Sequence, residues 1–163
     1  MKYLILILKL FFTLLVIAQN KNVSKNKFVI GIAAPELIHA GYTYRISNNN
    51  LVGINAGLAP SFGEVWSAVS IEHRIYLGEN DPRINQKTWF CRQGFTFFSS
   101  GNDKQKFALN LTGGKDIVFK NLKSGISIDA GVIYLPNSGS SSISIGKKLS
   151  LLPALRFQFY ASL

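Results

Sequence analysis

Material for covalent cross-links is missing from this chain. Cys91 is the only cysteine of 163 residues, so no intrachain disulfide can form, although an exported protein does not need one. His39 and His73 are the only histidines. With one cysteine they offer no spacing of the kind that holds a metal, and no cofactor is expected. Acidic residues are scarce, 8 Asp and Glu against 18 Lys and Arg, for a formal net charge of +10. Nucleic-acid binders gather such charge on one face. Here Lys21, Lys25, Lys27, Arg83, Lys104, Lys120, Lys123, Lys147 and Lys148 are spread through turn-like stretches. That spread excludes nucleic acid as a partner and favours anionic lipid headgroups or lipopolysaccharide. Beyond the first twenty residues no long apolar run occurs, so no second candidate for a membrane helix exists. A hydrophobic share of 47% with only 16% charged residues also excludes a disordered chain.

What is present begins with a leader. Lys2, the apolar run Tyr3 to Leu8, Lys9, a second run Leu10 to Ala18 and then Gln19-Asn20 have the order of a secretory signal peptide. Val16 and Ala18 supply the small residues that precede a cleavage site. Lys9 interrupts the run below the roughly 20 residues a spanning helix needs. The sequence therefore divides into a signal peptide, residues 1–18, a tail, 19–27, and a body, 28–163.

The body alternates. Leu155, Phe157, Phe159 and Leu163 occupy odd positions against Arg156, Gln158 and Ser162, which is the period of a strand with one apolar face. Leu37 to Ile46 repeats it, with Ile38, Ala40, Tyr42, Tyr44 and Ile46 against His39, Gly41, Thr43 and Arg45. So do Leu51 to Ala59, Glu64 to Leu77, Lys87 to Phe98, Lys106 to Gly113 with pairing continuing toward Phe119, and Ile126 to Leu135. Phe28 to Ala34 is the shortest candidate and stops at Pro35. Turns are predicted over Ser47 to Asn50, Pro60 to Gly63, Gly78 to Gln86, Ser99 to Gln105 and Lys120 to Gly125, and the longest connection over Pro136 to Leu151. These strands number about eight, an even count that returns both ends to one side. His73 and Gln93 fall on apolar faces and break the pattern; a local bulge or a place near an interface would excuse His73.

The polar faces carry Arg45, Glu64, Glu72, Arg74, Arg92, Asp129 and Arg156. In a barrel of about eight strands the lumen is only wide enough to be filled by side chains, so these charges must pair with one another or with water. A structural salt-bridge cluster is the first reading and a proton or ion path the second. Aromatic residues collect at strand ends, Tyr42, Tyr44, Trp89 and Phe159 toward one rim, and Phe97, Phe107 and Tyr134 toward the other, as two girdles would require. Catalysis has little support: a lipid hydrolase needs His and Ser together at the outer rim, and His39 points inward. Gly113-Gly114-Lys115 lacks the Ser or Thr and the earlier Gly of a phosphate loop. Asn22-Val23-Ser24 and Asn110-Leu111-Thr112 match a glycosylation pattern, which carries little meaning if the source is bacterial. Cys91 reads as a small hydrophobe.

On Pro35-Glu36-Leu37-Ile38-His39-Ala40-Gly41, Gly113-Gly114-Lys115-Asp116, Ile128-Asp129-Ala130-Gly131 and Leu152-Pro153-Ala154, the region from Phe28 to Leu163 resembles the small outer-membrane β-barrel proteins of the OmpA/OmpX-like class, and the short barrels of Bacteroidetes-type bacteria. The resemblance implies a monomer in the bacterial outer membrane whose last strand is read by the barrel-assembly machinery. That machinery favours a terminal aromatic residue, where this chain has Leu163. The class carries no catalytic residues to transfer. The expected fold is all-β, a closed antiparallel up-and-down transmembrane β-barrel. The expected role is structural or in surface interaction through Pro136 to Leu151, with a lipid-modifying hydrolase and a soluble ligand-carrying barrel as the alternatives.

Overall fold

A computed structural model describes residues 25–33, 37–61, 64–99, 105–119, 124–136 and 150–162. The expected signal peptide, Pro35, the side chain of Glu64, Leu163 and most of the Pro136 to Leu151 connection lie outside the described residues. Eight strands follow in chain order: β1 (Asn26–Ala33), β2 (Ile38–Arg45), β3 (Asn50–Ser61), β4 (Glu64–Asp81), β5 (Gln86–Ser99), β6 (Gln105–Val118), β7 (Ser124–Leu135) and β8 (Ser150–Ser162). Each pairs antiparallel with its successor, and β8 pairs with β1 to close the barrel. Closure leaves no row of unpaired backbone groups.

The ladder is staggered. One cross-strand row runs from Asn26 through Tyr44, Val52, His73, Gln93, Leu111 and Val132 to Pro153 on β8. Strand β1, however, meets β8 with Lys27 opposite Ser162. The offset from 153 to the level beyond 162, about ten residues, is the shear that tilts strands and sets the bore of a closed barrel. β1 and β8 run from and to one end, the terminal end, which also carries the connections at 46–49, 82–85 and 119–123. The opposite end carries those at 34–37, 62–63, 100–104 and 136–149.

Several boundaries differ from expectation. β1 starts at Asn26, so Lys27, expected in the tail, is a buried strand residue. β3 includes Pro60 and Ser61, which stand opposite Val65 and Glu64, and the reversal is confined to 62–63. β4 runs to Asp81, although Gly78 to Gln86 reads as loop by composition. The register shifts between Leu77 and Asn80, Gly78 takes a positive φ of 78°, and pairing resumes at Asn80 opposite Lys87. An irregularity that a glycine can absorb lets the ladder continue. The turn itself is tied by Asp81, whose carboxylate accepts the Arg83 N–H at 2.9 Å and whose carbonyl accepts the Asn85 N–H at 2.8 Å. β8 begins at Ser150 and takes Leu151 and Pro153 into the ladder, opposite Tyr134 and Val132.

Side-chain alternation gives the barrel two unlike surfaces. Outside, Phe28, Ile38, Ile54, Leu58, Val69, Ile71, Trp89, Phe95, Leu109, Leu111, Val132 and Phe157 are exposed, and no strand lacks such a residue. Inside, eighteen polar or charged side chains are buried among the described residues. A water-soluble barrel has the reverse arrangement.

Candidate functional site

The lumen is layered along its axis. Toward the terminal end, Leu51, Tyr76 and Phe90 form an apolar cluster, with the two rings 5.7 Å apart and tilted. Asp116 sits among them and accepts hydrogen bonds from the Tyr76 hydroxyl at 2.8 Å and from the Ser127 hydroxyl. Toward the opposite end, Trp66, Ala68, Phe98, Ala108, Ile133 and Ala154 form a second buried apolar cluster backed by Leu135. Thr96 and Asn110, themselves hydrogen-bonded at 3.0 Å, follow it along the lumen wall.

Between the two clusters lies the charged layer. Glu72 accepts from Arg74 through Nε at 3.1 Å and Nη2 at 2.8 Å, from Arg156 Nη1, and from Asn55 Nδ2 at 3.2 Å. Arg92 Nη1 stands 3.7 Å from the same carboxylate. The other arm of Arg92 donates to Asp129 at 2.8 Å, and its Nε to the Thr112 hydroxyl at 3.1 Å. Arg74 also donates to the Ser127 hydroxyl at 3.1 Å and to the Gln158 side-chain oxygen, and Gln158 reaches His39 Nε2 at 3.1 Å. One carboxylate thus gathers three guanidiniums, with Asp129 and Asp116 taking part of their charge. Charge-assisted bonds in a space closed to bulk water are strong, and each is costly to break singly.

Of the charged set expected inside, Glu72, Arg74, Arg92, Asp129 and Arg156 meet in this layer. Arg45 is also buried in the lumen but apart from them, its guanidinium 4.5 Å from the Tyr76 ring centre and donating to the Asn48 carbonyl at 3.1 Å. The Glu64 side chain lies outside the described residues. Asp116, Gln158 and Lys27 belong to the lumen as well and were absent from the expected set. Carrying the even-position parity of Ala108, Asn110 and Thr112 past Gly113 reaches Asp116. Lys27 offers no such signal, because the recognisable apolar run begins at Phe28.

The girdle residues lie on the outer face. Tyr42, Trp89, Phe97, Phe107 and Phe159 are exposed, and Tyr44 and Tyr134 are partly so. Trp89 carries the ammonium of Lys115 at 4.9 Å from its ring centre, and the Tyr42 hydroxyl donates to Asn26 at 2.6 Å. From Trp89 to Phe97 on β5 is about 26 Å along the strand at ~3.3 Å per residue, or about 20 Å along the axis of a barrel tilted by ~40°. The two residues that broke the outer pattern touch each other without a bulge. His73 and Gln93 are register partners in an unbroken ladder, Gln93 Nε2 stands 3.0 Å from His73 Nδ1, and Asn50 Oδ1 stands 3.0 Å from His73 Nε2. Three outward polar side chains therefore satisfy one another.

No family model, no curated protein and no solved structure matches the chain.

Proposed function

We propose that this protein is an integral outer-membrane β-barrel of the small OmpA/OmpX-like kind, non-enzymatic, with its termini toward the periplasm and the long 136–149 connection on the other side. The observation that carries this reading is the pairing of an outer surface clad in exposed Phe, Ile, Leu, Val and Trp on all eight strands with a lumen that holds buried Arg, Lys, Glu and Asp. In water such an exterior would aggregate. In lipid it is the low-energy surface, and a closed barrel is one of the two backbone arrangements that satisfy every N–H and C=O there. Two aromatic bands about 20 Å apart along the axis suit the interfaces of an apolar band about 25 Å tall.

A structural role for the lumen is supported by its layering, since buried apolar clusters flank the charged layer toward both ends, whereas a channel would need a continuous polar path. His39 supports the same reading: it is buried in the lumen against Gln158 rather than at the outer rim, where a lipid hydrolase would need it. Surface interaction would then fall to the connections of the end opposite the termini, with the 136–149 segment the longest.

Expression of the full chain in a Gram-negative host tests the localisation. The protein is expected in the outer-membrane fraction, resistant to alkaline extraction, and to migrate differently in a detergent gel before and after boiling. Recovery of folded chain in the soluble fraction would overturn the membrane reading, and a soluble ligand carrier would replace it.

A further inference from the structure

We propose that the terminal-end mouth of the lumen binds a phosphate-type oxyanion, held by Lys27, Thr43, Arg45 and Tyr160 across the seam where the first and last strands meet. The inference uses the barrel geometry alone and does not depend on the surrounding membrane.

Three neighbouring strands supply the groups. Lys27 on β1 is the register partner of Thr43 on β2, and Arg45 follows Thr43 on the same inner face. Tyr160 on β8 is diagonal to Lys27 across the closing seam, and the Lys27 ammonium lies 4.1 Å from its ring centre. All four side chains are more than nine-tenths buried. Arg45 Nε, the Thr43 hydroxyl and the Tyr160 hydroxyl have no hydrogen-bond partner. The Lys27 ammonium forms no hydrogen bond or ion pair with a described residue; its contact is the ring. Buried donors in this state are unusual, because each forfeits the hydration it had in water.

Charge points the same way. Among the described residues the buried cations are Lys27, Arg45, Arg74, Arg92 and Arg156, and the buried carboxylates are Glu72, Asp116 and Asp129. Glu72 is taken by Arg74 and Arg156, and Asp129 by Arg92. Asp116, the carboxylate of this end, accepts from Tyr76 and Ser127 and has Arg74 Nη1 at 3.9 Å, while Lys27 and Arg45 form no ion pair with it. The two cations left over are those at the seam. Ring faces under them, Tyr160 and Tyr76, offset part of the desolvation, but an ammonium and a guanidinium in this setting attract an anion strongly. Lys25, partly exposed just outside β1, extends the positive mouth toward solvent. A tetrahedral oxyanion can accept from an ammonium, a guanidinium and two hydroxyls that approach from three strands, which a planar carboxylate with two oxygens does less well. The phosphate group could be free or carried on a lipid headgroup.

The test uses the full chain refolded in a phosphate-free maltoside micelle and titrated with inorganic phosphate at constant ionic strength, with chloride as the reference. Saturable heat of binding is expected, along with a rise in the urea midpoint that chloride does not produce. Lys27→Gln and Arg45→Gln should each weaken binding tenfold or more, while Arg83→Gln, on the exposed turn, should leave it unchanged. Tyr160→Phe removes only a hydroxyl and keeps the ring. It should weaken binding severalfold in a barrel whose gel mobility shift is intact, which keeps the test decisive if a charge variant fails to fold. Absence of saturation, or equal binding by wild type, Lys27→Gln and Tyr160→Phe, overturns the proposal. Competition by a short-chain phosphatidylglycerol at concentrations similar to phosphate would identify a headgroup as the natural source. Competition by phosphate alone would identify the free ion.

Discussion

Glu72 on β4 and Arg156 on β8 form an ion pair across the full bore of the barrel. Their strands are four apart in either direction round the ring, and the residues are 84 positions apart in the chain. Arg74, two residues from Glu72 on the same inner face, shares that carboxylate, so opposite walls are joined through one acidic group. A narrow lumen makes this possible: only in a barrel of about eight strands do side chains from facing walls meet.

Glu72→Gln removes the one charge that three buried guanidiniums approach. Stripping one partner from a buried ionic cluster costs about 3 to 5 kcal/mol, and Asp129→Asn should cost a comparable amount by leaving Arg92 short of its shorter ion pair. Arg83→Gln, on the exposed turn, should leave the urea midpoint at the wild-type value, because an exposed ion pair is screened by solvent. Urea midpoints of the three variants check this; equal midpoints would refute the structural role of the cluster.

Trp66 and Trp89 report on opposite sides of the wall, at 7% and 58% exposure. In vesicles of lipid brominated along the acyl chain, Trp66→Phe protein, which keeps Trp89, should be strongly quenched, and Trp89→Phe protein, which keeps Trp66, only weakly. Equal quenching of the two would contradict the outward lipid contact.

Glycine substitution should split by face. A Cβ at Gly131 would press on the Leu111 carbonyl and lie 2.6 Å from the Thr112 Cα, both backbone atoms of β6, whereas one at Gly113 would meet nothing within 4 Å. Gly131→Ala should therefore cost about 1 to 3 kcal/mol through forced backbone movement. Gly113→Ala, on the outer face, should be neutral or slightly stabilising. Denaturant midpoints decide it, and parity between the two would show that the β6–β7 seam yields more readily than its close packing implies.

The outward polar trio should behave as a coupled unit. His73→Leu alone strands Gln93 and takes the partner of Asn50 Oδ1, while the Asn50 amide keeps its bond to the Ser47 hydroxyl; Gln93→Leu alone strands His73 Nδ1, and the double change leaves Leu facing Leu at that register pair. A double-mutant cycle is expected to give a coupling of about 0.5 to 2 kcal/mol. Additivity within error would mean that water or headgroups already satisfy these side chains.

Much of the fold was written in local alternation. Period two places Ile38, Tyr42, Ile54, Leu109 and Phe157 on one face and His39, Thr43, Glu72, Arg74 and Asp129 on the other, and this follows from strand geometry before any tertiary contact exists. Turn composition then gives about eight strands, and the eight-strand closed barrel agrees. Composition was less informative where pairing overrode it. Gly78 to Asp81 and Pro60 to Ser61 look like turns, yet the ladder extends through both, because register with the neighbouring strand decides where a hairpin ends.

Which inward residues meet could not be read from the chain, since alternation assigns a face and says nothing of depth. Depth comes from the register and the stagger of about ten residues, properties of the closed ladder as a whole. They bring Glu72 to Arg156 across the lumen, set the Trp66 layer at one end, gather Lys27, Arg45 and Tyr160 at the other, and place Asn50, His73 and Gln93 side by side outside. The sequence by itself determined the two unlike faces, because side-chain direction is a one-strand property; only the tertiary structure decided the partners, because shear couples all eight strands at once.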